Sequence, residues 1–425
     1  MKGVKYFFES DRALGFLLIL FAFSIPLGYR LSLYVFGGAI AIWFFSGNWF
    51  NNYKKLKQFN GVTLLIVLWL LLVFSLIYTS NIENGLFDIA QKLSLLLFPL
   101  IFLTSKGLIK YKNWIFNAFL LALFIVALFL LVRALYYSLT LEGFVFNPVP
   151  VDVPWENYFL YFRFTEPYHP TYFSLYFSLG LAIISNRIAE SLRLKEQFLL
   201  SALFLFFSAI IYLSSSKAGM IVAALILVFS VFWVISRKSR LLATITVALL
   251  GLLVAFFLVK NSRMAYFINY INGSNNKELS SENKEFENQL RSESTVRIEI
   301  WRNIPTIVGS NWLLGVGIGD VKEELVAGYK KTGVSYAAEA ELNSHNQYFE
   351  TFVGLGLVGL TILLLILGMG FRASFIQKDM LLFMFLVIIL VNFIFESMFE
   401  RVFGVMFFSF FYCVLYFRGD EELEE

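Results

Sequence analysis

Cysteine, histidine and charge are all scarce in this chain. Its 425 residues include one cysteine, Cys413, and two histidines, His169 and His345. A lone cysteine forms no internal disulfide, and Cys413 lies in an apolar run, so it reads as an inert packed thiol. The histidines have no H-E-x-x-H spacing, no second cysteine and no carboxylate at zinc-like spacing, so no metal is expected. No nucleophile elbow of a serine hydrolase is visible. Charged residues make up 15% of the chain, where a soluble domain carries about a quarter. The net charge of +4 comes without a basic–aromatic stripe or zinc-finger spacing, which gives no case for a nucleic-acid partner.

Apolar sequence is what the chain has in abundance. It is 59% hydrophobic with 50 phenylalanines, and its mean hydropathy is +0.72. This is the composition of an all-α, polytopic membrane protein. Twelve segments are apolar enough to be read as spans, near residues 13–28, 31–46, 61–79, 86–103, 114–137, 169–186, 197–214, 217–236, 241–259, 349–369, 380–395 and 402–417. The start, "MKGVKYFFESDRALGFLLILFAFSIPLG", is charged and then apolar like a signal peptide. No small-x-small cleavage site follows, and a second apolar run opens at Leu31, so a retained first span is expected.

Lysine and arginine orient the spans. One set of connections carries Lys2, Lys5 and Arg12, then Lys54, Lys55 and Lys57, then Lys106, Lys110 and Lys112, then Arg187, Arg193 and Lys195, then Arg237, Lys238 and Arg240, then Arg372 and Lys378, and finally Arg418. The alternate set carries only Arg30, Arg163, Lys217 and Arg401 in its short segments. The bias places both termini in the cytoplasm, with the acidic tail "GDEELEE" as a solvated end. The expected organisation is a bundle over 1–259 with a smaller outer loop at 138–168. A long, partly helical outer loop over 260–348 follows, between spans nine and ten. Residues 349–425 then hold the last three spans and the tail. No internal repeat is evident, which gives an inverted-repeat transporter no support.

Within the long loop, "SNNKELSSENKEFENQLRS" (274–292) is polar and charged, and reads as either a solvated helix or a mobile stretch. Val296, Ile298, Ile300, Trp301 and Ile304 then line one side of a helix. Pro305 would kink it and Gly309 would stop it. "GVGIGD" lacks both the G-K-[ST] ending and the βαβ context of a nucleotide loop, and reads as a tight turn. Asp320 and Glu323 form a D-x-x-E start for the helix "DVKEELVAGYKK".

The notable polar groups map to the outer side. They are Arg163, Glu166, His169, Lys217, Arg297, Arg302, His345, Glu396, Glu400 and Arg401. Charges at one depth beside a bilayer face a cavity or a partner. Each also has a plainer reading. Arg297 is four residues after Glu293 and suits a surface ion pair. Lys217 suits an interfacial lysine. Glu396 and Arg401 suit a structural pair, His169 a helix cap, and His345 a hydrogen-bonded interfacial histidine. Lys92, in "DIAQKLSLLLFPL", is the one notable charge that reads as mid-span. Histidine accepts a proton near neutral pH, while arginine and lysine hold phosphates. One base among several cations beside the outer leaflet points to a lipid-linked phosphate or pyrophosphate. The base would deprotonate an acceptor hydroxyl, and fixed cations would neutralise the leaving phosphate.

Three stretches together resemble the O-antigen ligase and O-antigen polymerase superfamily of bacterial envelope glycosyltransferases. "SSSKAGMIVA" (214–223) is similar to its span-opening S-R-G motif. "VRIEIWRNIPTIVGSNWLLGVGIGDV" (296–321) is similar to its R-x-x-x-W helix and the glycine motif after it. "NSHNQYFETFVGLGLVGL" (343–360) is similar to its H-N-x-x-hydrophobic-E…G-x-x-G signature. The motifs cover about residues 210–365. Elsewhere the chain matches in the number and layout of its spans.

The resemblance implies a metal-independent, inverting transfer without a cofactor. The donor would be a glycan on undecaprenyl pyrophosphate. The acceptor would be a sugar hydroxyl, on lipid A-core for a ligase or on another lipid-linked chain for a polymerase. It further implies a multi-pass protein of the bacterial inner membrane with its active site facing the periplasm. Carried across, His345 is the catalytic base and Arg297 binds the donor pyrophosphate. Lys217 stands where the family has arginine, keeping the charge and losing the bidentate fork. Arg163, Glu166 and His169 are candidate acceptor or sugar contacts. Asn346, Glu350, Glu396 and Arg401 are supporting candidates. The alternative from a different class is a non-enzymatic carrier or exporter of lipid-linked sugars, which calls for charged or glycine-broken helices near the bilayer midplane.

Overall fold

A segment withdrawn from water has to satisfy its own backbone N–H and C=O groups, which favours helices wherever the chain is continuously apolar. The computed structural model describes residues 10–47, 59–105, 107–140, 158–236, 251 and 284–417, and among these no residue is in a strand. The helices are α1 (Ser10–Ser24), α2 (Tyr29–Ser46), α3 (Gly61–Ser75), α4 (Ile82–Gln91), α5 (Ser94–Thr104), α6 (Lys112–Thr140), α7 (Tyr161–Thr165), α8 (Pro170–Glu190), α9 (Leu194–Ser214) and α10 (Lys217–Ser236). After them come α11 (Lys284–Val308), α12 (Val321–Thr332), α13 (Ser335–Glu339), α14 (Gln347–Gln377), α15 (Met380–Phe395) and α16 (Val402–Tyr416).

Five helical segments among the described residues are long and apolar enough to cross a membrane: Tyr29–Ser46, Ile82–Thr104, Leu108–Thr140, Leu194–Ser214 and Gln347–Gln377. Shorter apolar helices cover Gly61–Ser75, Lys217–Trp233, Met380–Phe395 and Val402–Tyr416. Within the described residues the apolar segments read from sequence are therefore helical, and five of them reach spanning length. Apart from residue 251, the segment 241–259 lies outside the described residues, as does 260–283 of the long loop. The rest of that loop holds α11, α12 and α13.

The chain forms two compact units, one of residues 1–122 with 300–425 and one of residues 123–299. In the first, phenylalanines fill the centre. Phe21, Phe36, Phe98 and Phe410 pack in tilted and edge-on pairs with ring centroids between 4.5 and 5.9 Å apart. From Gly404 to Leu415, α16 is buried at every position, as expected of a helix that is apolar all round. Cys413 is packed inside it. Polar contacts gather at two ends of this unit. At one, Lys112 meets Asp379 at 3.5 Å, and the Gly61 N–H donates to the Tyr416 hydroxyl. At the other lie residues 79–92, 315–320, 344–350 and 396–400, which include His345.

In the second unit α8 packs on α9 and α10. A side chain at Gly219 would collide with Ser174 on α8. The glycine of "SSSKAG" thus marks a close crossing of two helices.

Candidate functional site

His345 is presented by a short loop between α13 and α14, and its backbone is left-handed, with φ 49°. A histidine in that region is strained and needs its neighbours to hold it. They do so densely. The His345 N–H donates to Asn343 Oδ1 at 3.0 Å. The Ser344 N–H donates to Glu350 Oε2 at 2.9 Å, and the Ser344 hydroxyl reaches the same carboxylate. The indole N–H of Trp301 donates to the Ser344 carbonyl at 2.9 Å. Asn346 caps α14 by accepting the Phe349 N–H. Its own N–H donates to Ser397 Oγ, and Ser397 donates to Glu350 Oε2.

The polar cluster read from "NSHNQ" therefore divides by role. Asn343 and Asn346 spend their side chains on the backbone, while Gln347 Oε1 accepts the Phe399 N–H at 2.6 Å and its amide donates to the Thr351 hydroxyl at 3.0 Å. Glu350, 5% exposed, ties the loop before His345 to the first turn of α14. The imidazole itself faces Glu396, with Nδ1 and Oε1 3.9 Å apart. Glu396 is 7% exposed. Arg401 is exposed, and the carboxylate that Glu396 presents is turned to His345. Glu400 pairs with Lys92 at 3.1 Å.

The two glycine-rich motifs are one structure. α14 is interrupted at Gly356, with φ 62° and ψ −160°, a conformation that only glycine adopts readily. The backbone of 312–317 fills the gap. Val316 and Gly317 N–H groups donate to the carbonyls of Val353 and Gly354 at 2.9 and 3.0 Å, and Leu357 N–H donates to the Trp312 carbonyl at 2.8 Å. A Cβ on Gly315 would overlap the Gly354 carbonyl, and one on Gly356 would overlap that of Leu313. "GVGIGD" is thus a turn spliced into a broken helix, and it fixes the segment of α14 that follows His345.

The outer loop departs from its sequence reading in three details. α11 buries Val296, Ile300, Ile304 and Val308, a stripe at every fourth position that leaves Ile298 and Trp301 half-buried. It runs through Pro305 and ends at Val308 before Gly309, which has φ 50°. Asp320 makes no side-chain cap for α12. Its carboxylate instead accepts the N–H groups of Ser80 and Asn81 at 2.7 and 2.8 Å, joining the loop to the turn before α4. On α12, Lys322 donates to Glu341 at 2.6 Å. The hydrogen bond holds the Glu341 carboxyl below its ordinary value and the Lys322 ammonium above its own.

Lys92 is the larger revision. The segment 86–103 is not one helix but two, α4 and α5, and Lys92 sits in the break between them. It lies at the same end as the His345 loop, in contact with Glu400 and Asp88.

In the second unit, Arg163 lies over the Tyr158 ring at 4.7 Å. His169 is the N-cap of α8, its Nδ1 accepting the Thr171 N–H at 3.4 Å, so the capping reading holds there. Glu166 pairs with Arg133, which also donates to the carbonyls of Arg163 and Glu166 at 3.0 and 2.9 Å. The sequence reading passed over Arg133; its signal was a lone arginine in the apolar run "LFLLVRALYY". Lys217 is the first residue of α10, after Ser215 with φ 49°. A cation there opposes the helix dipole, so helix stability does not explain it. Arg297 is half-buried on α11, one turn before Trp301. Among the described residues no group of three or more histidine, cysteine or acidic side chains is placed to hold a metal.

Apolar helices of spanning length among the described residues are those of a membrane protein. Residues 202–364 match the family model Wzy_C, described as O-antigen ligase. The matched segment, which is similar to an O-antigen ligase domain, includes Lys217, Arg297, His345 and Glu350. No curated protein matches the chain.

Proposed function

We propose that the protein is a membrane glycosyltransferase of O-antigen ligase type. It would move a glycan from undecaprenyl pyrophosphate to a sugar hydroxyl, on lipid A-core for a ligase, at the periplasmic face of the bacterial inner membrane. The observation that carries this reading is that the family match encloses the three residues with the required chemistry.

In this reading His345 is the base. As the acceptor hydroxyl attacks the anomeric carbon, its proton passes to the imidazole, and the bond to the pyrophosphate oxygen breaks with inversion. Glu396 faces Nδ1, so the imidazolium forms beside a buried negative charge, which favours it. Arg297 and Lys217 bind the donor pyrophosphate and neutralise the charge that grows on the leaving group. At Lys217 the positive charge adds to the positive end of a helix, whose Gly219 N–H is held by the Ser216 hydroxyl, a combination suited to an anion. Arg163, through its aromatic surroundings, is assigned to sugar contact. Glu166 and His169 hold that loop in shape, and Arg401, exposed at the start of α16, is assigned to the acceptor.

The same chemistry serves a polymerase that joins lipid-linked repeat units, and the acceptor alone separates the two. A carrier is the competing class, and the breaks at Lys92 and Gly356 are the features that would favour it. The gap at Gly356, however, is filled by backbone from 312–317. The test is transfer in proteoliposomes supplied with undecaprenyl-pyrophosphate glycan and candidate acceptors, with EDTA present. Native protein should transfer, and His345→Ala and Arg297→Ala should lose about 10²-fold or more while remaining folded. Movement of lipid-linked sugar across the bilayer without transfer to any acceptor would replace this reading with the carrier.

A further inference from the structure

We propose that Lys92 is a positioning residue for His345, acting from the break between α4 and α5 through the segment Glu396–Glu400. The inference rests on His345 as the base of the proposed reaction.

Lys92 is 3% exposed. An ammonium so deeply buried is costly unless it is paired, and even paired it is seldom more stabilising than an apolar side chain of similar size. Its geometry is therefore more informative than its energy. Nζ is 3.1 Å from Glu400 Oε1 and 3.6 Å from Asp88 Oδ2. A cavity of about 20 Å³ is lined by Lys92, Gln347, Glu350, Thr351 and Glu400, room for about one water molecule. The ammonium thus borders the same small, mostly apolar-walled cavity as the carboxylate that holds the His345 loop.

The segment after α15 is what joins the two. Glu396 faces the His345 imidazole. Ser397 accepts from Asn346 and donates to Glu350. The Phe399 N–H donates to Gln347, and Glu400 meets Lys92. This short run is fastened on one side to the residues around His345 and on the other to Lys92. Release of Glu400 would leave a carboxylate of the same run without its cation, and the run carries Glu396 with it. A displacement of about 1 Å at a catalytic group is enough to cost about 10²-fold in rate.

The chain's two histidines allow a test that does not depend on transfer. Diethyl pyrocarbonate acylates histidine, and mass spectrometry reads the rates at His345 and His169 separately, with His169 as the internal reference. The variants are Lys92→Met, Glu400→Gln and the charge-balanced double Lys92→Met/Glu400→Gln, in the full-length protein in detergent. The expected result is a change of about threefold or more in the His345:His169 rate ratio for Lys92→Met, with kcat lowered about tenfold and donor KM little changed. In the double variant the thermal midpoint should recover, while the ratio and kcat remain altered. If the double variant restores all three, Lys92 is a structural counter-ion and the proposal fails. It also fails if Lys92→Met leaves the ratio unchanged. Should Lys92→Met not fold, the double variant and Glu400→Gln decide by the same ratio. Loss of the transferase reading would show separately, as full transfer by His345→Ala, and would leave the ratio measurement intact.

Discussion

The imidazole of His345 and the carboxylate of Glu396 face each other at 3.9 Å, although they belong to segments on opposite sides of the α14–α15 hairpin. A base that gains a proton during reaction is helped by a nearby negative charge. Glu396→Gln keeps the shape and removes the charge. It should lower kcat by about tenfold to a hundredfold, less than the loss from His345→Ala, which removes the base itself. Donor KM should change little in both, because neither residue is assigned to the pyrophosphate. Steady-state transfer rates in proteoliposomes check this, and equal activity of Glu396→Gln and native protein would remove Glu396 from the mechanism.

The splice at Gly356 makes a second prediction. Gly356→Ala places a Cβ against the Leu313 carbonyl at a backbone conformation that L-residues avoid. Neither partner is a flexible side-chain tip. The expected cost is about 2 kcal/mol or more, seen as a lower thermal midpoint in detergent. Gly368→Ala, on the same helix with open space around its Cβ position, is the control. It should be neutral or stabilising by about 0.5–1 kcal/mol. Equal midpoints for the two variants would mean that the loop 312–317 does not plug the helix.

Much of this was legible in the sequence because it rests on local chemistry. Apolar runs of spanning length became helices, the stop at Gly309 held, and His345 fell at the start of a helix as "NSHNQYFE" implied. What escaped depends on contacts distant in the chain. Nothing near Asp320 indicates that its carboxylate serves Ser80 and Asn81 rather than its own helix. Lys92 looked like a charge within a single span because "DIAQKLSLLLFPL" has no proline or glycine before Pro99. Its helix breaks where Glu400 and Asp88 provide for the ammonium. Glu396 was paired by proximity with Arg401, whereas the fold turns it to a histidine half a hundred positions away. The glycines of 315–319 and 354–359 were each visible, but their mutual backbone contact was not.

Trp301 offers a cleaner test of the loop than any charged residue. Its indole N–H donates to the Ser344 carbonyl at 2.9 Å, and its ring sits 6.1 Å from that of Phe349. Trp301→Phe preserves an aromatic ring and deletes the donor. The carbonyl just before His345 then loses its partner, at a cost of about 1 kcal/mol. Thermal unfolding should report that loss, and an unchanged midpoint would show that the bond does not hold the loop in solution.

The Lys322–Glu341 bridge links α12 to the approach to His345 and carries a pH dependence of known sign. Lys322 lowers the Glu341 carboxyl. A depressed carboxyl stabilises the fold above its unfolded value and loses that contribution as pH falls through its folded value. Hydrogen-exchange protection over residues 335–345 should therefore be greatest above the ordinary carboxylate value and decline as pH falls from there through the depressed value. In Lys322→Ala the protection above that range should be lower and this decline should be lost. The same profile in native protein and variant would mean that another group governs the loop.

The two cations assigned to the donor should respond differently to conservative exchange. Arg297 is assigned a forked contact with pyrophosphate, which lysine does not reproduce. Arg297→Lys should therefore raise donor KM and lower kcat/KM by about tenfold or more, and Arg297→Ala should cost further. Lys217 is already the point charge at its position, beside the N–H groups that open α10. Lys217→Arg should retain activity within a few-fold and could bind donor more tightly through the added fork, whereas Lys217→Ala should lose about tenfold or more in kcat/KM. Thermal midpoints serve as the folding control. Removing a cation from the first turn of a helix should hold or raise the midpoint, so a loss of activity in Lys217→Ala without a loss of stability separates substrate binding from architecture. Were Lys217→Ala as active as native protein, the anion site would have to be built without α10, and Arg297 would be left as the assigned phosphate ligand.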